Sequence, residues 1–169
     1  NGKYITAEDV GINPQDINWV AQETRHVSGL PGKGGDPSPV TAYGVYMGMK
    51  ASAKEQWGND SLTGKTIAVQ GAGHVGMYLI EYLAKENANI VVTDIDQESV
   101  GIAVSKHGAS AVGLDDIYDV NMDIYAPCAL GATINDNTLQ RLNCSIIAGA
   151  ANNQLENEIH HGRVVMEKG

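Results

Sequence analysis

Six consecutive residues, Gly71-Ala72-Gly73-His74-Val75-Gly76, carry the clearest chemistry in this chain of 169 residues. They fit G-x-G-x-x-G, a spacing that arises by chance in glycine-rich sequences and informs only in context. The context fits here. Thr66-Ile67-Ala68-Val69-Gln70 reads as a strand entering the turn, and Val75 to Glu86 as a helix leaving it. Gly71 permits the tight turn, Gly73 lets backbone approach a pyrophosphate, and Gly76 lets helix and strand pack closely. The helix N-terminus offers amide donors and the positive end of a dipole to phosphates. Ala72, His74 and Val75 therefore count as cofactor-binding positions with the three glycines. Asp94 ends a second apolar run, Asn89 to Thr93, about 20 residues beyond the turn, where this fingerprint places an acid. Asp94, with Ile95 beside it, is expected to bind the adenine ribose hydroxyls and to repel a 2′-phosphate. Ile95, Asp96 and Gln97 supply no arginine to reverse that preference, so the expected cofactor is NAD rather than NADP. The plainer alternative is a glycine turn with Asp94 as a helix cap.

Other chemistry-bearing patterns fail on spacing. Thr63-Gly64-Lys65-Thr66 resembles the end of a P-loop, but the required upstream glycine is Asn59 and the stretch precedes its strand. Asp94 to Glu98 begins like a calcium loop, but its sixth and twelfth positions are Ser99 and Ser105. His160 and His161 are adjacent, so on a helix they are expected to point apart and not to chelate. No structural metal is expected, and His26, His74 and His107 read as surface or packing side chains. Cys128 reads as a small buried residue at a strand end rather than a nucleophile.

The elements that must position the glycine turn alternate between strand and helix. Strands are expected at 66–70, 89–93, 111–112, 122–126 and 145–148. Helices are expected at 75–86, 99–107 and 136–142. This alternation implies a parallel sheet with helices on both faces, a Rossmann-type, doubly wound α/β domain. Upstream, Tyr4 to Ala7 could end a strand. Pro14 to Ala21 reads as a helix capped by Asn13, and Ser38 to Trp57 as another capped by Ser38. The glycine- and proline-rich stretch from Ser28 to Pro39, which includes Lys33, reads as a hinge. The expected division is 1–36 as an edge of a second domain with its hinge, 37–58 as a connecting helix, and 59–169 as the nucleotide domain.

Composition sets the outer bounds. The chain is 43% hydrophobic and 18% charged, enough to bury a core. A net charge of −9 argues against a nucleic-acid partner. No apolar run approaches the length of a membrane span. Cys128 and Cys144 form no disulfide framework, which points to a reducing, cytoplasmic compartment. Residue 1 is Asn and no signal segment follows it, so the chain is expected to be processed or part of something longer.

Four stretches carry a family resemblance: Tyr4 to Gly11, Asp36 to Gly44, Asp123 to Asn135 and Ile147 to Gln154. With the glycine fingerprint they resemble the leucine branch of the glutamate/leucine/phenylalanine/valine dehydrogenase family over essentially the whole chain. The resemblance implies reversible oxidative deamination, in which an L-amino acid, NAD and water become a 2-oxo acid, ammonia and NADH. It implies that Asp9 relays protons to and from the substrate amine. It places Thr41 near the nicotinamide amide, Ala126, Cys128 and Ala129 on the loop lining the nicotinamide ribose, and Asn152 beside the nicotinamide ring. Read alone, Asp9 is a turn residue and Thr41 part of a helix's first turn. The resemblance also implies a homo-oligomer.

The family's two lysines, one activating water and one binding the substrate carboxylate, match nothing here; Lys33 lies on the wrong side of Asp9. The chain therefore resembles an internal fragment, one expected not to turn over substrate alone. Two alternatives stay open: a non-catalytic NAD-binding module, and the same chemistry on phenylalanine, valine or glutamate.

Overall fold

The computed structural model describes residues 2–9, 11–30 and 35–168. Packing divides the chain into two units, with the break between Val40 and Thr41.

The smaller unit contains α1 (Pro14–Glu23). Its start is a reciprocal capping box. The Asn13 side chain accepts from the N–H groups of Gln15 and Asp16, and the Asp16 carboxylate accepts from the N–H of Asn13. Pro14 stands where a missing N–H does no harm. The expected strand end at Tyr4 to Ala7 reduces to one bridge, Thr6 with Val27. Lys33 and its neighbours 31–34 lie outside the described residues.

α2 occupies Ser38–Trp57, the span its sequence predicts. The side chain that meets its first N–H is Asp36, which accepts from Ser38 at 2.8 Å. Beyond it come β1 (Thr66–Gln70), α3 (His74–Lys85), β2 (Asn89–Thr93), α4 (Gln97–His107) and β3 (Ser110–Ala111). A short 3₁₀ turn (Asp116–Asp119), β4 (Ile124–Pro127), α5 (Thr138–Arg141), β5 (Ile146–Ile147) and α6 (Glu158–Lys168) complete the order. The five strands are parallel in the order β3-β2-β1-β4-β5. This is the doubly wound arrangement that the alternation of elements predicts.

Side-chain alternation builds a core on each face of the sheet. Ile67 and Val69 of β1, Ile90 and Val92 of β2, and Ile124 and Ala126 of β4 join one cluster with Leu79, Ile80 and Leu83 of α3. Ala68 and Tyr125 face the other way, into a cluster with Ile117, Tyr118 and Leu139, against which Val164 and Val165 of α6 pack. Burial on both faces is why these strands read as continuous apolar runs.

Two elements differ from the sequence reading. The helix expected at 136–142 is only Thr138–Arg141. The Asn135 carboxamide oxygen takes the N–H groups of Asn137 and Thr138, and the Thr138 hydroxyl donates to the Thr133 carbonyl. These local bonds compete with the helix. α6 was not expected, because Gly162 and paired histidines obscure its period. Asn157 caps it by accepting from the His160 N–H at 2.9 Å.

Candidate cofactor site at the sheet switch point

β1 and β4 are neighbours whose connections leave in opposite directions, so a crevice opens beyond their carboxyl ends. Gly71 follows β1 and Cys128 follows β4, and the two backbones nearly touch there. A Cβ on Gly71 would lie 2.7 Å from the Ala129 nitrogen, and Gly71 has φ +104, a region open to glycine. The N–H of Cys128 donates to the Gln70 carbonyl at 2.7 Å, and that of Gly71 to the Thr93 carbonyl at 2.8 Å.

The turn then enters α3. A Cβ on Gly76 would sit 2.0 Å from the Gly71 carbonyl oxygen and 3.6 Å from the Cys128 Cβ. Only glycine lets this helix approach the strand so closely. Nothing lies within 4 Å of a Cβ placed on Gly73. Gly73 is also the N-cap of α3 and gives it no side-chain hydrogen bond. The turn thus leaves open space in front of an uncapped helix N-terminus, which suits a phosphate group. Gly73 and His74 are exposed, Val75 is half-buried and Ala72 is buried.

Asp94 does more than its sequence position suggests. One carboxylate oxygen accepts from the Ala72 N–H at 2.5 Å and the other from the Asp96 N–H at 2.8 Å. The acid is therefore an anchor for the glycine turn as well as a candidate ribose ligand. It is not the cap of α4, a role that belongs to Asp96. Ile95 beside it is 84% exposed, an apolar side chain next to Asp94.

On the other side of the switch point, Ala126 is fully buried in the core, so its methyl group faces the sheet's packing rather than the crevice. The Cys128 Cβ lies 3.6 Å from where a Gly76 Cβ would stand, and burial pushes the pKa of the thiol up to about 11. It therefore stays protonated at neutral pH and is a poor nucleophile. Ala129 is exposed on the loop that follows. Asn152 is exposed on the loop between β5 and α6. Gly149 and Asn153 flank that residue, and sequence reasoning missed both. A Cβ on Gly149 would lie 2.2 Å from the Pro127 carbonyl oxygen. The Asn153 carbonyl accepts from Ala132 N–H at 2.6 Å, stitching the two loops together. The signal for Gly149 was a small residue beside a strand end, which spacing alone does not single out.

Thr41 is exposed near the start of α2. Asp9 is exposed in the smaller unit, where its carbonyl accepts the Ile12 N–H at 3.0 Å.

The histidine pair departs from expectation. His160 and His161 do not point apart: their Nε2 atoms converge on one oxygen of Asp136, at 3.0 and 3.2 Å. Loop curvature brings Asp136 to the first turn of α6. The three groups form the one cluster with metal-ligand potential among the described residues. His161 Nδ1 accepts from the Asn157 N–H at 2.9 Å, so its proton resides on Nε2 and is donated to Asp136. That tautomer turns His161 from a ligand into a hydrogen-bond donor. The two imidazoles hold the Asp136 carboxyl below the usual carboxylate range, His160 most strongly.

Strand order, glycine turn and acidic anchor together define a Rossmann-type domain. Residues 32–111 match the family described as glutamate/leucine/phenylalanine/valine dehydrogenase. The whole chain is 56% identical to leucine dehydrogenase of Thermoactinomyces intermedius and 57% identical to that of Bacillus subtilis, in each case covering 47% of the relative. The crystal structure of L-tryptophan dehydrogenase from Nostoc punctiforme superposes with a TM-score of 0.81 at 41% identity, over 98% of this chain and 47% of that one. The chain carries this family's dehydrogenase domain over residues 32–111 and is similar along its whole length to leucine dehydrogenases. It spans about half the length of the curated relatives it matches.

Proposed function

We propose that this chain is the cofactor-binding part of an NAD-dependent dehydrogenase. In this reading the enzyme reversibly deaminates a branched-chain L-amino acid to its 2-oxo acid and ammonia. The observation that carries the reading is 56% and 57% identity, over the whole of this chain, to two leucine dehydrogenases, joined to a glycine turn anchored by Asp94 at the sheet switch point.

The nicotinamide group supplies hydride transfer. Gly71, Ala72, Gly73, His74, Val75 and Gly76 shape the phosphate cradle, where backbone N–H groups meet negative charge without a Cβ in the way. The Asp94 carboxylate accepts the ribose hydroxyls and disfavours a 2′-phosphate, with Ile95 against the base. The backbone around Ala126, Cys128 and Ala129, with Asn152 and Thr41, orients the nicotinamide end. Asp9 holds and returns the proton of the substrate amine, a general acid–base role. The full protein is a homo-oligomer acting in the cytoplasm. Among the described residues no helix is long and apolar enough to cross a membrane.

The test is a steady-state assay of the full-length protein, following NADH absorbance with L-leucine, L-valine, L-phenylalanine, L-tryptophan and L-glutamate, each with NAD and NADP. Highest kcat/KM for a branched-chain substrate with NAD supports the reading. NADH binding without turnover of any amino acid supports the binding-module alternative instead.

A further inference from the structure

Beneath the switch point, on the face opposite α3, a chain of polar side chains crosses an otherwise apolar core. Gln70 is the last residue of β1 and immediately precedes the glycine turn. Its Nε2 donates to the Tyr118 hydroxyl at 2.7 Å. Its Oε1 accepts from the hydroxyl of Tyr125, a fully buried residue of β4. The Tyr125 oxygen lies 3.3 Å from the Thr133 hydroxyl, and the Thr133 carbonyl accepts from the Thr138 hydroxyl at 2.6 Å. At the far end the Arg141 guanidinium lies 5.3 Å from the centre of the Tyr118 ring and pairs with Asp115 and Asp119.

This arrangement is unusual in one respect. Buried polar groups in a sheet core are expensive unless every one is satisfied, and an apolar residue at 125 would pack as well. The network therefore has consequences beyond filling space. It joins the two loops that flank the crevice, the turn after Gln70 and the loop 128–133. That second loop is also tied to the loop after β5, through the Ala132 N–H and the Asn153 carbonyl at 2.6 Å. Leu130 on it is 77% exposed, and Ala132 adopts φ +61, a conformation that disfavours a side chain. Thr133 ties this loop to Tyr125 and Thr138 on the face opposite α3.

We propose that Tyr125 is a positioning residue that, through Gln70 and Thr133, fixes the loop 128–133 relative to the glycine turn and so sets the nicotinamide half of the cofactor site. Asp94 lies beyond β2, on one side of the switch point, and loop 128–133 lies beyond β4, on the other. A dinucleotide laid across the crevice therefore places its adenosine half toward Asp94 and its other half toward the loop. The inference rests on the dinucleotide-binding reading above.

The experiment compares Tyr125→Phe and Thr133→Val with the unaltered full-length protein. Kd is measured for NADH by fluorescence and for ADP-ribose, which lacks the nicotinamide, by calorimetry. Tyr125→Phe keeps the ring in its packing and removes only the hydroxyl. It is expected to weaken NADH at least fivefold and to leave ADP-ribose within twofold. Thr133→Val alters the network from the loop side and is expected to give the same split. In the double variant the NADH effect should not exceed that of the stronger single variant, because both break one network. Equal weakening of both ligands, or of neither, overturns the positioning role while leaving the cofactor reading intact. If the unaltered protein binds neither ligand, the cofactor reading fails first and this inference fails with it.

Discussion

Replacing Asp94 tests two roles of one carboxylate. Asp94→Ser removes the charge proposed to face the ribose and also removes the acceptors for the Ala72 and Asp96 N–H groups, at 2.5 and 2.8 Å. A hydrogen bond to a charged group contributes about 1.5–3 kcal/mol. Losing two carboxylate contacts to ribose hydroxyls should therefore raise the NADH Kd by on the order of 10²-fold or more, since about 1.4 kcal/mol is tenfold. For NADPH the removed repulsion works the other way. Two like charges about 4 Å apart near a surface repel by about 4 kcal/mol at an effective dielectric of ~20. The loosened glycine turn offsets part of that gain, because the phosphate cradle is no longer held at Ala72. The expected result is a large shift in the NADH-to-NADPH preference, with only a modest absolute gain for NADPH. Asp94→Asn separates the two roles. Its remaining carbonyl oxygen can still accept from Ala72, so it should shift the preference while retaining tighter binding of both cofactors than Asp94→Ser. Kd values for NADH, NADPH and ADP, measured on the full-length protein and both variants, check this. An unchanged NADH-to-NADPH ratio in both variants would refute the ribose assignment. Equal ADP affinity in the two variants would refute the anchoring role.

Other substitutions test separate features. Gly76→Ala puts a Cβ 2.0 Å from the Gly71 oxygen, against backbone that cannot easily move. Overpacking of this kind costs about 1–3 kcal/mol, and the displaced turn should also lose NADH affinity; a thermal melt and a binding titration read both. Asp9→Asn should lower kcat of the full-length enzyme by on the order of 10²-fold or more, and unaltered turnover removes Asp9 from the mechanism. Glu86, which follows α3, gives a pH dependence. Burial pushes its carboxyl up, but the Leu62 N–H, the Tyr46 hydroxyl and the Lys50 ammonium outweigh burial and hold it below the usual range. A carboxyl depressed in the folded state stabilises fully above its unfolded pKa, about 4.3, and loses that contribution as pH falls through its lower folded value. Glu86→Gln should therefore lower Tm at pH 7 and make Tm less dependent on pH below about 4.3; parallel melting curves for the two proteins would contradict this.

Much of the fold was legible because each level of the sequence agreed. Apolar β-branched runs, buried on both faces, marked β1 and β2, and Asn13-Pro14 marked the start of α1. The elements that escaped were those where local side chains overrode the period. Asn135 and Thr138 shortened α5, and the paired histidines with Gly162 hid α6. Gly71, Gly76 and Asp94 were recoverable because a fixed spacing ties each one to a backbone need. Gly149 was not, since its requirement comes from the Pro127 carbonyl, over 20 positions earlier in the chain.

Fold class, the glycine turn and the acid that faces it follow from short-range periodicity and spacing alone. What each group is bonded to emerges once the chain is packed. Packing made Asp94 an anchor for Ala72, turned His160 and His161 onto the same Asp136 oxygen, and joined Gln70, Tyr125 and Thr133 into one partly buried network. A hydrogen bond depends on a few tenths of an ångström and a direction, and across residues distant in sequence only the packed chain supplies both.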